Sequence, residues 1–300
     1  MAYDLSALAT TIGKSGKEII LQMVNSWEPG EDFGIIRDVT KPIFLPKLSI
    51  AGEPRPYRAQ EDTSGNNAVF TDRTLTVNQS KWDFIFDPED FRNTYLSDAQ
   101  GGILDPNQVT LNKFIINKIA EDYLAKINDE ALLDGVYNAA GTGTADIMDG
   151  LRKILSTAGL TPVATGSFNG TNAVTKVEQV CEAVPQWMRK TGFKVICSYT
   201  AFDYYKKHYR TLNNIGFDQR AVDSINLDGF KATLEPRSYM GTSLALIAIP
   251  ATKKNLWLGL NSQEIAIHPT PTLNLMKVRL MMPIGLQVAD TEAVVINDQL

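Results

Sequence analysis

The chain has 300 residues, 44% of them hydrophobic, with a formal charge of −5 and a pI near 5.2. A chain of this length buries roughly three-quarters of the surface it exposes when unfolded, so its stability needs no metal or disulfide clamp. The acidic balance argues against a dedicated nucleic-acid binder, which carries a basic patch to displace counterions from phosphates. Met1 to Ile20 lacks a basic segment followed by a continuous apolar stretch, and no run approaches the roughly 18 apolar residues of a membrane span. A soluble, cytoplasmic protein with no membrane association is expected. The two cysteines, Cys181 and Cys197, fall in a helical and a strand pattern, so two reduced core thiols are favoured over a disulfide or redox pair.

In chain order, Ile19, Ile20, Met23, Val24 and Trp27 stand at helical spacing from about Gly16 to Trp27, and Pro29-Gly30 stops the pattern. Phe33 to Ser49 is apolar but interrupted by Pro42 and Pro46, which predicts extended chain or edge strand. Ala51 to Asn67 is polar, charged and rich in proline and glycine, while Thr71 to Phe86 is rich in β-forming residues. Together they predict a long hairpin with a polar tip. An isolated hairpin buries too little apolar area to stand alone, so this one rests on the rest of the chain or on a neighbouring subunit.

The strongest helix signal follows. Asp105-Pro106-Asn107-Gln108 supplies an N-cap acceptor, proline at N1 and a reciprocal glutamine. Leu111, Ile115, Ile119, Tyr123, Ile127 and Ala131 then form a stripe widened by Phe114, Ile116, Leu124 and Leu132, Asp122 and Lys126 can pair on the polar side, and Gly135 ends the run. A helix of that length spans roughly 45 Å and reads as a spine. Further helices are predicted over Asp146 to Thr157, from a capping box Thr175-Lys-Val-Glu178 to Gly192 with a kink at Pro185 and Val177, Val180, Cys181, Val184 and Trp187 inward, and over Thr200 to Leu212. Lys194 to Ser198 reads as a short buried strand between the last two. The last third reads as short strands over Phe230–Leu234, Leu244–Ile249, Asn255–Leu260, Glu264–His268, Leu273–Met281, Leu286–Ala289 and Ala293–Ile296. Helices and strands mix without regular alternation, which makes the fold class α+β.

Motifs for chemistry are sparse. Gly13-Lys14-Ser15 matches the end of a phosphate-binding loop, but Leu8 stands where the first glycine belongs. Gly141-Thr-Gly143 reads as a connector. His208 and His268 fit no metal-ligand spacing, and Asp87, Glu89 and Asp90 read as N-capping and first-turn charges rather than a cation site. Asn169-Gly-Thr171 is a glycosylation triplet with nothing to place it on a secretory route. Trp82, Phe84, Phe86, Phe91 and Tyr95 read as core or as the anchor where the hairpin rejoins its domain. No catalytic, cofactor-binding or metal-binding residues emerge, and the chain is expected not to be an enzyme.

The order of elements (arm helix, polar-tipped hairpin, spine helix, helix-strand-helix unit, β-rich return) resembles the major capsid proteins of tailed bacteriophages, whose fold is shared with encapsulins. Lys194 to Leu212 (KVICSYTAFDYYKKHYRTL) resembles the strand-then-helix unit of their A-domain, and Lys277 to Asp298 (KVRLMMPIGLQVADTEAVVIND) is similar to their closing strands. The resemblance implies an N-terminal arm (1–32), an extended-loop hairpin region (33–86), a P-domain with the spine helix (87–172), a mainly A-domain segment (173–260) and return strands (261–300). It implies a structural subunit that assembles with itself into hexamers and pentamers of an icosahedral shell. That shell encloses double-stranded DNA without sequence-specific binding and is found in the virion, and in the host cytoplasm during assembly. Partners implied are portal and scaffolding proteins, and decoration proteins; no scaffolding segment precedes the fold, which points to a separate scaffold or a trimmed chain. The implied assembly interface comprises Glu53, Arg55, Arg58, Glu61, Asp62 and Arg73, whose mixed charges set register across a neighbour. One branch of the family crosslinks subunits through Lys and Asn; Lys47 and Lys81 flank the loop, but no activating carboxylate is evident beside either, and that chemistry is not carried over. An encapsulin-like compartment and an α+β ligand-binding protein or enzyme are the alternatives.

Overall fold

Helix α1 runs from Leu5 to Asn25, starting eleven residues before the predicted Gly16, and its buried face is Ile19, Ile20 and Val24. Glycine costs about 1 kcal/mol in a helix interior, and packing of this face offsets the two at Gly13 and Gly16. The Gly13-Lys14-Ser15 triplet is thus helical backbone, not a loop. The computed structural model describes residues 5–50, 68–100, 111–213, 224–252, 254–272 and 275–300. The predicted hairpin tip, Ala51 to Asn67, and the predicted spine cap, Asp105 to Gln108, lie outside the described residues.

After a 3-10 turn (Glu28–Glu31), β1 (Phe33–Ile36) leads to the antiparallel pair β2 (Ile43–Ile50) and β3 (Ala68–Leu75), in register from Ile43↔Leu75 to Ile50↔Ala68. The second arm of the hairpin is shorter than predicted. The chain breaks at Thr76-Val77, and β4 (Asn78–Phe86) leaves the hairpin to join the main sheet. Helix α2 (Pro88–Gln100) follows, then the spine, α3 (Leu111–Lys126) continued by a π-turn over Ile127–Ala131. Of the predicted stripe, Ile115, Ile116, Ile119, Tyr123, Leu124, Ile127, Ala131 and Leu132 are buried. Lys126, predicted to pair with Asp122, instead lies 4.9 Å over the Trp82 ring.

The predicted helix over Asp146 to Thr157 is a 3-10 turn (Thr144–Asp146) and a separate α4 (Leu151–Thr157). Its late start has a cause in the spine. The amides of Gly150, Leu151 and Arg152 donate to the carbonyls of Gly135, Leu132 and Leu133 at 2.8, 2.9 and 2.9 Å. Orphan donors at one helix start thereby satisfy orphan acceptors at the other's end.

Helix α5 (Ala173–Ala183) begins two residues before the predicted capping box, because the Val174 amide donates to His208 Nδ1 at 3.0 Å. Pro185 breaks the run and α6 (Gln186–Thr191) restarts in a new phase, ending at Gly192 with φ 99°. The new phase turns Met188 inward and leaves Trp187 48% exposed, against the prediction that Trp187 points in. Strand β5 (Phe193–Cys197) and α7 (Tyr199–Asn213) follow as predicted, with the Ala201 amide donating to Ser198 Oγ at 3.1 Å as the N-cap bond. The remaining strands are β6 (Ile225–Asn226), β7 (Ala232–Pro236), β8 (Ile247–Pro250), β9 (Leu256–Leu260), β10 (Ala266–Thr272), β11 (Leu275–Val288) and β12 (Val295–Ile296).

Two strands predicted separately, Leu273–Met281 and Leu286–Ala289, are one strand, β11, despite Pro283. Proline is tolerated there because it falls where β11 changes neighbour, between the last pair with β10 (Ala266↔Met281) and the first with β9 (Leu260↔Ile284). Strand β11 also pairs with β4 from Met276↔Phe86 to Ile284↔Asn78, and β1 adds to β9 in parallel.

A second sheet, in the order β12-β8-β5-β7-β6, is buried on both faces. Along β8, Ile247 and Ile249 face a core shared with α1, the spine and β11, while Ala248 faces a second core under α5, α6 and α7. Alternation in β5 does the same, with Ile196 on one side and Val195 and Cys197 on the other. Both cysteines are free and buried; burial pushes the Cys181 thiol up to about 12 and Cys197 higher still, so neither offers a thiolate.

Candidate assembly surface

The hairpin is the one element whose strands pair with no other described strand. Each arm has eight residues, so the paired arms extend roughly 27 Å at about 3.4 Å per residue. On its first arm Phe44 is 63% exposed, a large apolar side chain without cover. Glu53, Arg55, Arg58, Glu61 and Asp62 belong to the tip and lie outside the described residues. Arg73 is at the base, on β3 opposite Leu45.

What holds the base was not evident in the sequence. Lys47 Nζ meets Asp290 Oδ1 at 2.8 Å and Glu292 Oε2 at 2.7 Å. Arg73 Nε and a terminal nitrogen donate to Gln287 Oε1 at 3.3 and 3.2 Å, and Gln287 Nε2 donates to Thr74 O at 2.8 Å. The C-terminal end of β11 and the turn after it therefore clasp both arms. Burial pulls the Lys47 pKa down, but its bonds to Asp290 and Glu292 outweigh that and hold it above the usual lysine value. Burial lowers the Arg73 pKa, and its guanidinium stays charged.

The sequence showed no carboxylate beside Lys47 or Lys81; the structure supplies them from far along the chain for Lys47 and two residues away for Lys81, whose Nζ is 3.1 Å from Asp83. At Lys47 the effect is to stabilise the protonated ammonium, the reverse of what a nucleophilic amine needs. Arg279 also holds Asp83, Nε to Oδ1 at 2.7 Å, and keeps its carboxyl down at about 2.

The hairpin enters the body through a gap cleared by two glycines. Gly259 and Gly285 are cross-strand partners on β9 and β11, and the Thr76-Val77 link lies against both. A Cβ on Gly285 would stand 1.9 Å from Thr76 O, and one on Gly259 would stand 2.9 Å from Val77 Cγ1. Beyond the link, β4 is locked to the spine. Ser80 donates to Met282 O at 2.6 Å and accepts from the Tyr123 hydroxyl, whose pKa burial raises to about 12. Trp82 stacks on Tyr123 at 5.9 Å and packs tilted against Phe84 at 4.6 Å, which makes this aromatic run the anchor of the hairpin's return; the Phe91 side chain lies outside the described residues.

A second fastening joins the turn before β1 to the sheet of β5 and β7. Asp32, fully buried, accepts from Lys194, from Arg237 Nε at 2.6 Å and from the Tyr239 hydroxyl at 2.8 Å. Arg237 also reaches Glu235 at 2.6 Å and Glu31 at 2.9 Å. Burial alone would raise the Asp32 pKa; bonds from Arg237 and Lys194 outweigh it and hold the carboxyl below its ordinary value.

Lys47→Met tests the clasp. An ion pair this exposed is worth about 1 kcal/mol at most. Hydrogen exchange of the β2 and β3 amides is expected to quicken about fivefold while β4 keeps its protection; equal exchange in both strands would show that Lys47 does not fasten the hairpin.

No protein-family model matches the sequence, and no curated protein is similar to it. Solved structures do resemble the chain along nearly its whole length. The satellite phage P4 procapsid, determined with the size-determination (Sid) protein, aligns over 94% of this chain and 98% of that one at 14% identity and a TM-score of 0.55. The cyanophage A-1(L) capsid aligns over 90% and 91% at 14% identity and a TM-score of 0.53. The SrpI encapsulin of Synechococcus elongatus aligns over 89% and 85% at 9% identity and a TM-score of 0.50. The chain has the α+β fold of tailed-phage capsid proteins and encapsulins.

Proposed function

We propose that this chain is a non-enzymatic shell subunit, the major capsid protein of a tailed bacteriophage. The observation that carries the reading is the hairpin. Its two strands pair with no other described strand, and an isolated two-stranded ribbon is marginal in water. A protein gains by fastening such a ribbon at its base and resting the remainder on a second copy. The tip residues Glu53, Arg55, Arg58, Glu61 and Asp62, with Arg73 at the base, supply the mixed charges that select register against the neighbour, and exposed Phe44 supplies apolar area. Each contact is heterologous, so rotation closes rings of six or five, and the rings tile an icosahedral shell around double-stranded DNA. Segments 1–32, 33–86, 87–172, 173–260 and 261–300 take the roles of arm, extended loop, P-domain, A-domain and return strands. The subunit's partners are its own copies, with a portal, a scaffolding protein and decoration proteins, in the virion and, during assembly, the host cytoplasm.

Deletion of Gly52 to Asn66 tests the assignment. The truncated chain is expected to keep its circular dichroism spectrum and cooperative melt while forming no shells. Wild-type shell yield from the deletion would remove the hairpin from the interface. An encapsulin-like compartment is the second reading, favoured by the likeness to the SrpI encapsulin; shells that carry a specific enzyme rather than nucleic acid would decide for it.

A further inference from the structure

Strand β4 forms an edge of the main sheet, with β11 as its one described neighbour. The direction of its backbone groups follows from Pro283, whose carbonyl accepts from the Asn261 amide on the β9 side. Its partner on β4, Gln79, therefore also turns its N–H and C=O away from the ladder the two strands share. Directions alternate along a strand, so Gln79, Lys81, Asp83 and Ile85 all present their backbone groups outward, and all four residues are exposed. Among the described residues no backbone hydrogen bond reaches these groups. The connector at Thr142–Thr144 flanks Lys81 and Trp82 across a cavity of about 110 Å³ and sends them no backbone hydrogen bond.

The edge on the other side of β11 is built differently. Strand β10 carries Pro269 and Pro271, which stand two apart and so face the same way. A ladder tolerates proline where the missing N–H faces out, so the outer edge of β10 lacks donors at both positions and resists a further strand. Strand β4 has neither proline nor bulge, and its register runs unbroken from Asn78 to Phe86. An unblocked edge of this kind is a template for another extended chain.

We infer that β4 is a two-fold joint, pairing antiparallel with β4 of a second copy about Trp82. In that register Lys81 lies opposite the partner's Asp83, and Asp83 opposite the partner's Lys81. The outward-facing residues then meet one another and exchange about eight hydrogen bonds. The next registers that still match outward groups put Lys81 against Lys81 or Asp83 against Asp83, and like charges directly opposed destabilise a ladder. Within one chain Lys81 already meets Asp83 at 3.1 Å, so the joint merges two ion pairs into one cluster. The contact is isologous, and for its setting it rests on the shell reading: heterologous contacts close a ring, and an isologous one links that ring to the next. A single added ribbon is weak, as suits a joint repeated over a whole shell.

Cysteine crosslinking of the full-length chain tests it. Both native cysteines are buried, so introduced thiols are the ones an oxidant reaches. Lys81→Cys and Asp83→Cys chains, co-expressed, bring thiols to directly opposed positions with Cα atoms about 5.5 Å apart, inside disulfide range. Either variant alone sets them on a diagonal, about 7–8 Å apart and outside that range. Non-reducing electrophoresis after oxidation is expected to show a covalent dimer from the mixture, at least about tenfold more than from either variant alone. No dimer from the mixture, or as much from Lys81→Cys alone, would overturn the joint. Shells that form without the crosslink overturn the joint and leave the shell reading standing; a crosslinked dimer that never enlarges upholds the joint and counts against the shell.

Discussion

Replacing Asp32 by asparagine is expected to cost about 3 kcal/mol of stability at neutral pH, the lower end of what breaking a buried ion pair costs. The side chain keeps its size, so the loss is electrostatic. Arg237 and Lys194 stay where they are, desolvated, with Glu235 at 2.6 and 3.7 Å and, for Arg237, Glu31 at 2.9 Å as remaining partners. Those residual partners are why the lower end applies. Tyr239→Phe removes a single bond to the same carboxylate and is expected to cost about 1.5 kcal/mol. Linkage gives a second signature. The folded Asp32 pKa lies below its unfolded value, so its contribution is present in full above the ordinary carboxylate range and disappears as pH falls through the folded value. Urea midpoints at fixed chain concentration should therefore separate wild type from Asp32→Asn widely at neutral pH and converge in strong acid. A gap that stays constant would mean the carboxylate's charge contributes nothing.

The Gly285→Ala substitution is expected to be as damaging, at about 3 kcal/mol, for a reason of space rather than charge. Its Cβ would lie 1.9 Å from the Thr76 carbonyl oxygen and 3.0 Å from Val77 Cα. Both are backbone atoms, so relief requires the hairpin link itself to move. Gly259→Ala provides the internal comparison, since its Cβ meets Val77 Cγ1 at 2.9 Å and Leu75 Cδ2 at 3.1 Å, and side-chain ends can turn away. It is expected to cost about 1 kcal/mol. Thermal melts of the two variants measure this directly. Equal losses would show that the gap is not what seats the hairpin; a larger loss for Gly285→Ala, with faster exchange at β3, is the expected pattern.

Local periodicity carried the helices well. The spine stripe from Ile115 to Leu132, strand β5 and helix α7 were legible because each buries a face at its own period. Where reading the sequence went astray, the deciding contact came from elsewhere in the chain. His208 moved the start of α5, spine carbonyls delayed α4, and a change of neighbour let β11 run through Pro283. Trp187 fell outward because Pro185 reset the helical phase, which a single continuous pattern cannot anticipate. The fastenings were illegible for the same reason: Asp32 and Lys194 stand 162 positions apart, and Lys47 and Asp290 stand 243 apart. A charged residue inside an apolar strand, as Lys194 is in β5, was the available signal that a buried partner existed. Of the predicted interface residues, only Arg73 lies among the described residues, and its bonds run to Gln287 of its own chain.

The central claim is that this chain builds shells, and electron microscopy of the purified protein, alone and co-expressed with its neighbouring genes, tests it most directly. Closed shells, tubes or six-fold rings are the predicted result, with the hairpin of one subunit lying across the next. A monomer or dimer of constant size at every concentration and in every co-expression would contradict it.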